Sequence, residues 1–212
     1  MGPGIGSGIT RTDLVEHIDV AAMSLAAARI DLPKKMQGQD ILKANYERRS
    51  AVFAARDRCG EAVDRIRSVR TERYLYGRNF YSARPHLMPS EYKDMKLILQ
   101  RLRAMHADET LGPLAEKLLF ADSRPPEELY LYGQDRWQTQ NLADESGHAT
   151  ALDQHRVQLD QWIAETGDLG PESVEVYTLE TEDQMKSTRN KESRERYRRN
   201  SELYRLWTVE GK

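Results

Sequence analysis

Cys59 is the single thiol of the chain. It stands in RDRCGEAVD, with Arg56 and Arg58 before it and Glu61 after it. Guanidinium groups beside a thiol favour the thiolate, which is the nucleophilic form. A covalent mechanism also needs a base within reach, and no histidine lies near Cys59 in the sequence. Two readings stay open: a thiol served by a base from elsewhere in the fold, or a small half-buried residue at a strand end. Arg56, Asp57, Arg58 and Glu61 form the most pocket-like set. Guanidinium groups at a strand end grip a sulfate or an anionic sugar bidentately, whereas the plainer reading is a set of solvated ion pairs worth about 0–1 kcal/mol each.

Other candidate chemistries are weaker. His17, His86, His106, His148 and His155 are scattered. On one helix His148 and His155 stand about 10 Å apart along the axis, too far to share an ion, so each reads as a surface or capping residue and no metal site is predicted. The glycine-rich stretch GPGIGSGIT at residues 2–10 has no strand before it, and a phosphate cradle needs one. It reads as a turn with only one of its two flanking elements present. Between Lys191 and Arg199 five basic and two acidic residues alternate; Glu192 and Glu195 at helical distance from Arg196 and Arg199 favour a charged helix face over a nucleic-acid arm.

Composition sets the frame for these groups. In 212 residues, 32 basic against 34 acidic side chains leave a net charge of −2, which supplies no field for nucleic acid. Hydrophobic residues are 39%, charged residues 31%, and mean hydropathy is −0.76, so either much of the surface is charged helix or part of the chain is poorly ordered. No apolar run reaches the roughly 18 residues of a membrane span, and no basic segment followed by an apolar one marks an export leader. No membrane partner is expected, and the compartment stays open.

Spacing then places the elements. Leu14, Ile18, Ala21, Leu25 and Ala28 predict an amphipathic helix from Thr12 or Asp13 to a stop at Pro33. AVFAAR at 51–56 reads as a short buried strand, and 64–80 as a hairpin turning at Thr71 and Glu72. Residues 90–109 predict a helix capped by Ser90, and a short helix follows Pro113. EELYLYG is a strand candidate, and a long helix ends at Gly167. Strands interspersed with helices predict an α+β fold, an antiparallel sheet with helices packed on one face.

EELYLYGQDRWQTQNLAD carries a resemblance. Glu128, Leu129, Tyr130, Asp135, Asn141, Leu142 and Ala143 match a strand–turn–helix pattern of the sulfatases. LVEHIDVAAMSLAAARIDLP with MQG, VFAARDRCGEAVDRIRSVRTERYLYGRNF, YKDMKLILQRLRAMH and LDQWIAETGDLGPES agree in order over nearly the whole chain. The chain thus resembles the carboxy-terminal part of a sulfatase, of the sulfamidase (N-sulfoglucosamine sulfohydrolase) and arylsulfatase type.

The resemblance implies an alkaline-phosphatase-like fold divided three ways. Residues 1–50 would be a remnant of the large catalytic α/β domain, 51–178 the carboxy-terminal subdomain, and 179–212 a charged helical tail. Residues 2–10 become the turn that follows a strand of the large domain. The family attacks sulfur with a formylglycine made from a Cys/Ser-x-Pro-x-Arg motif, beside a calcium held by Asp and Asn. Here Cys59 leads into Gly-Glu-Ala, and the serine pattern from Ser123 reaches Glu127 where Arg belongs. No catalytic or metal-binding residue is therefore expected in this chain, and calcium and formylglycine are implied only for a full-length form.

Such a form would hydrolyse sulfate esters or sulfamides of sugars, with a sulfated sugar or glycosaminoglycan and the missing catalytic domain as partners; full-length relatives are exported. The chain alone is expected to be inactive. The alternative is a stand-alone module that binds a sulfated glycan or a protein. By resemblance Arg58, Cys59 and Glu61 border the substrate. The chain departs from the family at Ala55, where Glu is frequent, and at Leu131, Tyr132, Gly133, Gln134 and Arg136, where acidic residues and Asp-Pro are usual. Losing that proline is expected to loosen the turn.

Overall fold

The computed structural model describes residue 8 and residues 10–212; the predicted turn at 2–10 falls outside them except for Gly8 and Thr10. Strands β1 (Ala51–Cys59), β2 (Ala62–Thr71), β3 (Tyr74–Asn79) and β4 (Glu127–Leu131) form one antiparallel sheet in the order β1-β2-β3-β4. Helices α1 (Asp19–Ala27), α2 (Glu91–Asp94), α3 (Leu97–Ala107), α4 (Pro113–Ala115), α5 (Ala149–Thr166), α6 (Val174–Ser187) and α7 (Lys191–Val209) complete the α+β arrangement.

Period-two alternation puts Phe53, Val69, Tyr76 and Leu129 in one cross-strand row. Helix α5 lies on that row with Leu152 and Leu159, and Trp162 stacks on Phe53 at 5.1 Å. Each fully buried apolar side chain of this kind contributes about 1.5–3 kcal/mol. Gly167 ends α5 in the left-handed conformation, φ 65°, and the Asp168 N–H closes back on Ile163 O. A second core sits at the other end of β2, where Ala62, Met88, Tyr177 and Tyr204 meet beneath α6 and α7. The charged tail is thus anchored by its tyrosines.

Both outer edges of the sheet are partly closed by side chains. On β4, Asn141 Oδ1 accepts the Leu129 N–H at 2.9 Å and its Nδ2 donates to Glu127 O at 3.0 Å, so one amide stands in for a strand. On β1, Glu16 accepts the Phe53 N–H at 3.0 Å.

Several expectations change. Helix α1 starts at Asp19 rather than near Thr12, because the acids of the preceding turn are taken by distant partners. Asp13 pairs with Arg11 and Arg48, Glu16 holds β1, and Asp19 accepts the Glu16 and Gln39 N–H groups and both terminal nitrogens of Arg49. Gly38 of the MQG stretch fits there because a Cβ would lie 2.3 Å from Ile18 O. Strand β1 is longer than 51–56 and, as an edge strand, is exposed from Ala54 to Asp57. The helix expected over 90–109 breaks at Lys96, which is extended, and Ser90 makes no hydroxyl cap; its N–H donates to Asp94 instead. His148 and His155 bracket the Tyr74 ring, 5.8 and 5.6 Å away, and His155 is buried with Nε2 3.1 Å from Thr71 Oγ1.

Candidate functional site: the β1–β2 hairpin tip

Strands β1 and β2 meet in a two-residue turn. Cys59 pairs with Ala62, and Gly60 takes φ +62°, where a side chain would be strained. A register shift between Arg56 and Arg58 marks a bulge just before the tip, and bulges re-aim side chains. The charges of this stretch consequently part company.

Arg58 leaves toward α6. Its Nε lies 2.9 Å from Glu172, Nη2 also bonds Glu180, and Nη1 donates to Gly60 O at 3.0 Å. Burial opposes the Arg58 charge, but Glu180 and Glu172 outweigh it and hold the guanidinium above its ordinary pKa. Cys59 is a free, exposed thiol. Glu61 is 2% exposed. Its carboxylate accepts the Glu91 N–H at 2.5 Å and the Asn200 amide at 2.8 Å, while Tyr177 donates to its carbonyl at 2.9 Å. One turn therefore carries all three predicted residues, with Cys59 open to solvent, Arg58 tied to α6 and Glu61 fixed between α2 and α7.

The flanking charges are also spoken for. Asp57 bonds Arg67 at 2.8 Å, and Arg67 reaches Asp168 at 2.6 Å. Arg56 stands 3.6 Å from Asp64, whose carboxylate is gripped by both terminal nitrogens of buried Arg124. Beside the tip a cavity of about 300 Å³ is lined by Val63, Tyr81, Pro171, Tyr177 and Arg205 among others. Among the described residues no three His, Cys, Asp or Glu side chains gather as metal ligands.

The motif residues near β4 are structural. Glu128 accepts Asn79 and Tyr130, Leu129 is fully buried, and Asp135 organises the following loop by accepting the Thr139 and Gln140 N–H groups at 2.7 and 2.8 Å. Arg136 lies in this turn, beside the Asp135 carboxylate that holds it.

Known proteins resemble the chain over part of their own length. No family model matches it. An ulvan-active sulfatase of Formosa agariphila is 31% identical over 158 residues, which cover 73% of this chain and 26% of that sulfatase. The chain is a homologue of part of a sulfatase. It spans about a quarter of the length of the curated relative it matches. A solved 2-O GAG sulfatase superposes with a TM-score of 0.53 at 19% identity, over 79% of this chain and 29% of that one. The open antiparallel sheet with its helices is accordingly the carboxy-terminal part of the sulfatase fold. Trp137, an isolated indole in a polar loop, carries no spacing or motif signal in the sequence.

Proposed function

We propose that the chain is the carboxy-terminal portion of a sulfatase whose longer form hydrolyses sulfate esters or sulfamides of sugars, and that by itself it turns over no sulfate ester. The observation that carries this reading is the match itself: three-quarters of this chain aligns with one-quarter of a sulfatase. The nucleophile, as formylglycine, and the calcium belong in this reading to the longer form. Enzymes remove roughly 8–23 kcal/mol from a barrier, a nucleophile and a metal ion each contribute to that sum, and Arg58, Cys59 and Glu61 are not offered as substitutes for them.

Within the longer form, the hairpin tip borders a sulfated sugar or glycosaminoglycan. Glu61 sets the turn, Cys59 lies at its exposed rim, and Arg58 offers a guanidinium once a sulfate competes with Glu172 and Glu180. Two measurements test the reading. The purified chain incubated with 4-nitrophenyl sulfate is expected to release no nitrophenol above the buffer blank, and release would overturn the inactivity. Translation of the DNA upstream of the Met1 codon is expected to continue in frame through a Cys/Ser-x-Pro-x-Arg motif; an in-frame stop overturns the longer form.

A further inference from the structure

We propose that the corner of the sheet where β4 ends binds a sulfated saccharide through Trp137, Tyr132 and the guanidinium groups of Arg70, Arg73 and Arg136. This surface lies at the end of the sheet away from the β1–β2 hairpin tip. The choice of a saccharide among polyanions rests on the preceding reading of the chain; the surface itself does not.

The loop that leaves β4 is rigidly built. The Gln134 and Asp135 N–H groups both donate to Leu131 O, at 3.0 and 2.8 Å, and Gln138 donates to Asp135 O at 3.1 Å. The Asp135 carboxyl is held below its ordinary pKa by the Gln140 N–H first and the Thr139 N–H after it. A loop fixed in this way presents side chains at little entropic cost on binding. It presents Trp137 with 76% of its surface exposed and Tyr132 with 40%. Tryptophan carries binding energy out of proportion to its number at interfaces.

Each of the two rings has one guanidinium against it: Arg70 lies 3.5 Å over Tyr132 and Arg136 lies 5.1 Å from the Trp137 ring, while Arg73 lies 5.2 Å from the neighbouring Tyr74 ring. The Tyr132 N–H donates to Arg73 O at 3.0 Å, which draws the β2–β3 turn against the loop. None of the three arginines has an ion-pair partner among the described residues. Arg70 Nε is buried without a hydrogen-bond acceptor. In the same sheet Arg58, Arg67 and Arg78 are each paired with a carboxylate. The nearby acids are largely taken: Asp13, which lines a cavity with Glu72 and Arg73, pairs with Arg11 and Arg48, Glu16, which lines another with Arg70, accepts the Phe53 N–H, and the Asp135 oxygens are occupied by loop amides, which leaves Glu72 in the turn.

Flat apolar rings beside unpaired guanidinium groups suit a ligand with one apolar face and an anionic substituent. A pyranose ring lays its C–H face on an indole, and a sulfate takes parallel N–H bonds from a guanidinium. Single-stranded nucleic acid uses similar groups; the oligothymidylate arm of the test below separates it from a sulfated saccharide.

The test is isothermal titration calorimetry of the whole 212-residue chain with a heparin oligosaccharide, its desulfated counterpart and an oligothymidylate, at about 0.1 M salt, where exposed charges still act over some 10 Å. The heparin oligosaccharide is expected to bind and the other two to bind at least about tenfold more weakly. Trp137→Ala and Arg136→Ala are each expected to weaken heparin binding about tenfold or more. Trp137→Phe, which keeps an aromatic face, retains most of it, as does the charge-matched control Arg189→Ala. Trp137 is exposed, so its replacement leaves the fold intact, as circular dichroism will register. No heparin binding, equal binding of the desulfated form, or binding indifferent to Trp137→Ala overturns the proposal. Oligothymidylate binding that is equal and lost with Trp137→Ala also overturns it, in favour of a nucleic-acid surface. If Arg58→Ala abolishes binding and Trp137→Ala does not, the saccharide sits at the hairpin tip; this proposal then falls and the preceding one stands.

Discussion

Arg67 lies across β2 almost fully buried, and its guanidinium is held by Asp57 and by Asp168, just beyond the end of α5. The Arg67 bond comes first, and the Gly170 N–H adds to it, in pulling the Asp168 carboxyl down to about 2. In the unfolded chain that carboxyl titrates near about 3.9. The folded pKa is the lower one, so the stabilisation is fully present above about pH 4 and fades as pH falls toward 2. Asp168→Asn should therefore cost about 1.5–3 kcal/mol at pH 6, the range for a hydrogen bond to a charged group, and much less at pH 2.5. Urea midpoints of both proteins at the two pH values check this; an equal difference at both would contradict it. Arg84 is satisfied differently. It is fully buried yet its guanidinium donates only to main-chain oxygens, of Val63 at 2.6 Å and of Lys212 at 2.7 and 3.1 Å, and burial lowers its pKa.

At the scale of elements, the exposed edges of the sheet decide what its flanking segments must do. Asn141→Ala would leave the Leu129 N–H, in a fully buried residue, without its acceptor at 2.9 Å and Glu127 O without its donor. An unsatisfied buried group costs about 1–3 kcal/mol. The expected outcome is a loss of about that size in denaturant unfolding, with hydrogen exchange at Leu129 accelerated more than at Val69. Unchanged exchange at Leu129 would count against the role given to Asn141. The elements that could be read from the sequence are those whose signals are local. Helix α5 has its period and Gly167, and the β2–β3 hairpin has branched and aromatic residues on both sides of its turn. Helix α1 was overcounted because the acids before it are used by Gln39, Arg49 and Phe53, and no window of sequence contains them all. The hairpin tip shows the same limit. Cys59 and Arg58 were legible as an end-of-strand group, but the burial of Glu61 depends on Tyr177 and Asn200, more than a hundred residues away.

In the whole molecule two apolar clusters share one strand, since β2 carries Ala62 in one cluster and Val69 in the other. That continuity predicts a single cooperative unfolding transition. Leu159→Ala should cost about 2–5 kcal/mol and Tyr204→Ala about 3–5 kcal/mol as large-to-small core changes. Their sum should describe the double variant to within about 0.5 kcal/mol, because separated sites add. Two transitions in guanidinium chloride, or a strong departure from additivity, would mean that the clusters unfold separately or are coupled more tightly than the shared strand implies. The three tryptophans of the chain are divided among these regions. Trp162 stacks on Phe53 in the first cluster, Trp207 meets Tyr204 edge-on in the second, and Trp137 stands in solvent. The chain thereby carries its own optical labels: a red-shifted, readily iodide-quenched emission belongs to the loop, and bluer, less quenched emission belongs to the two half-buried rings packed against the clusters, so one spectrum separates an event at the surface from the loss of either core.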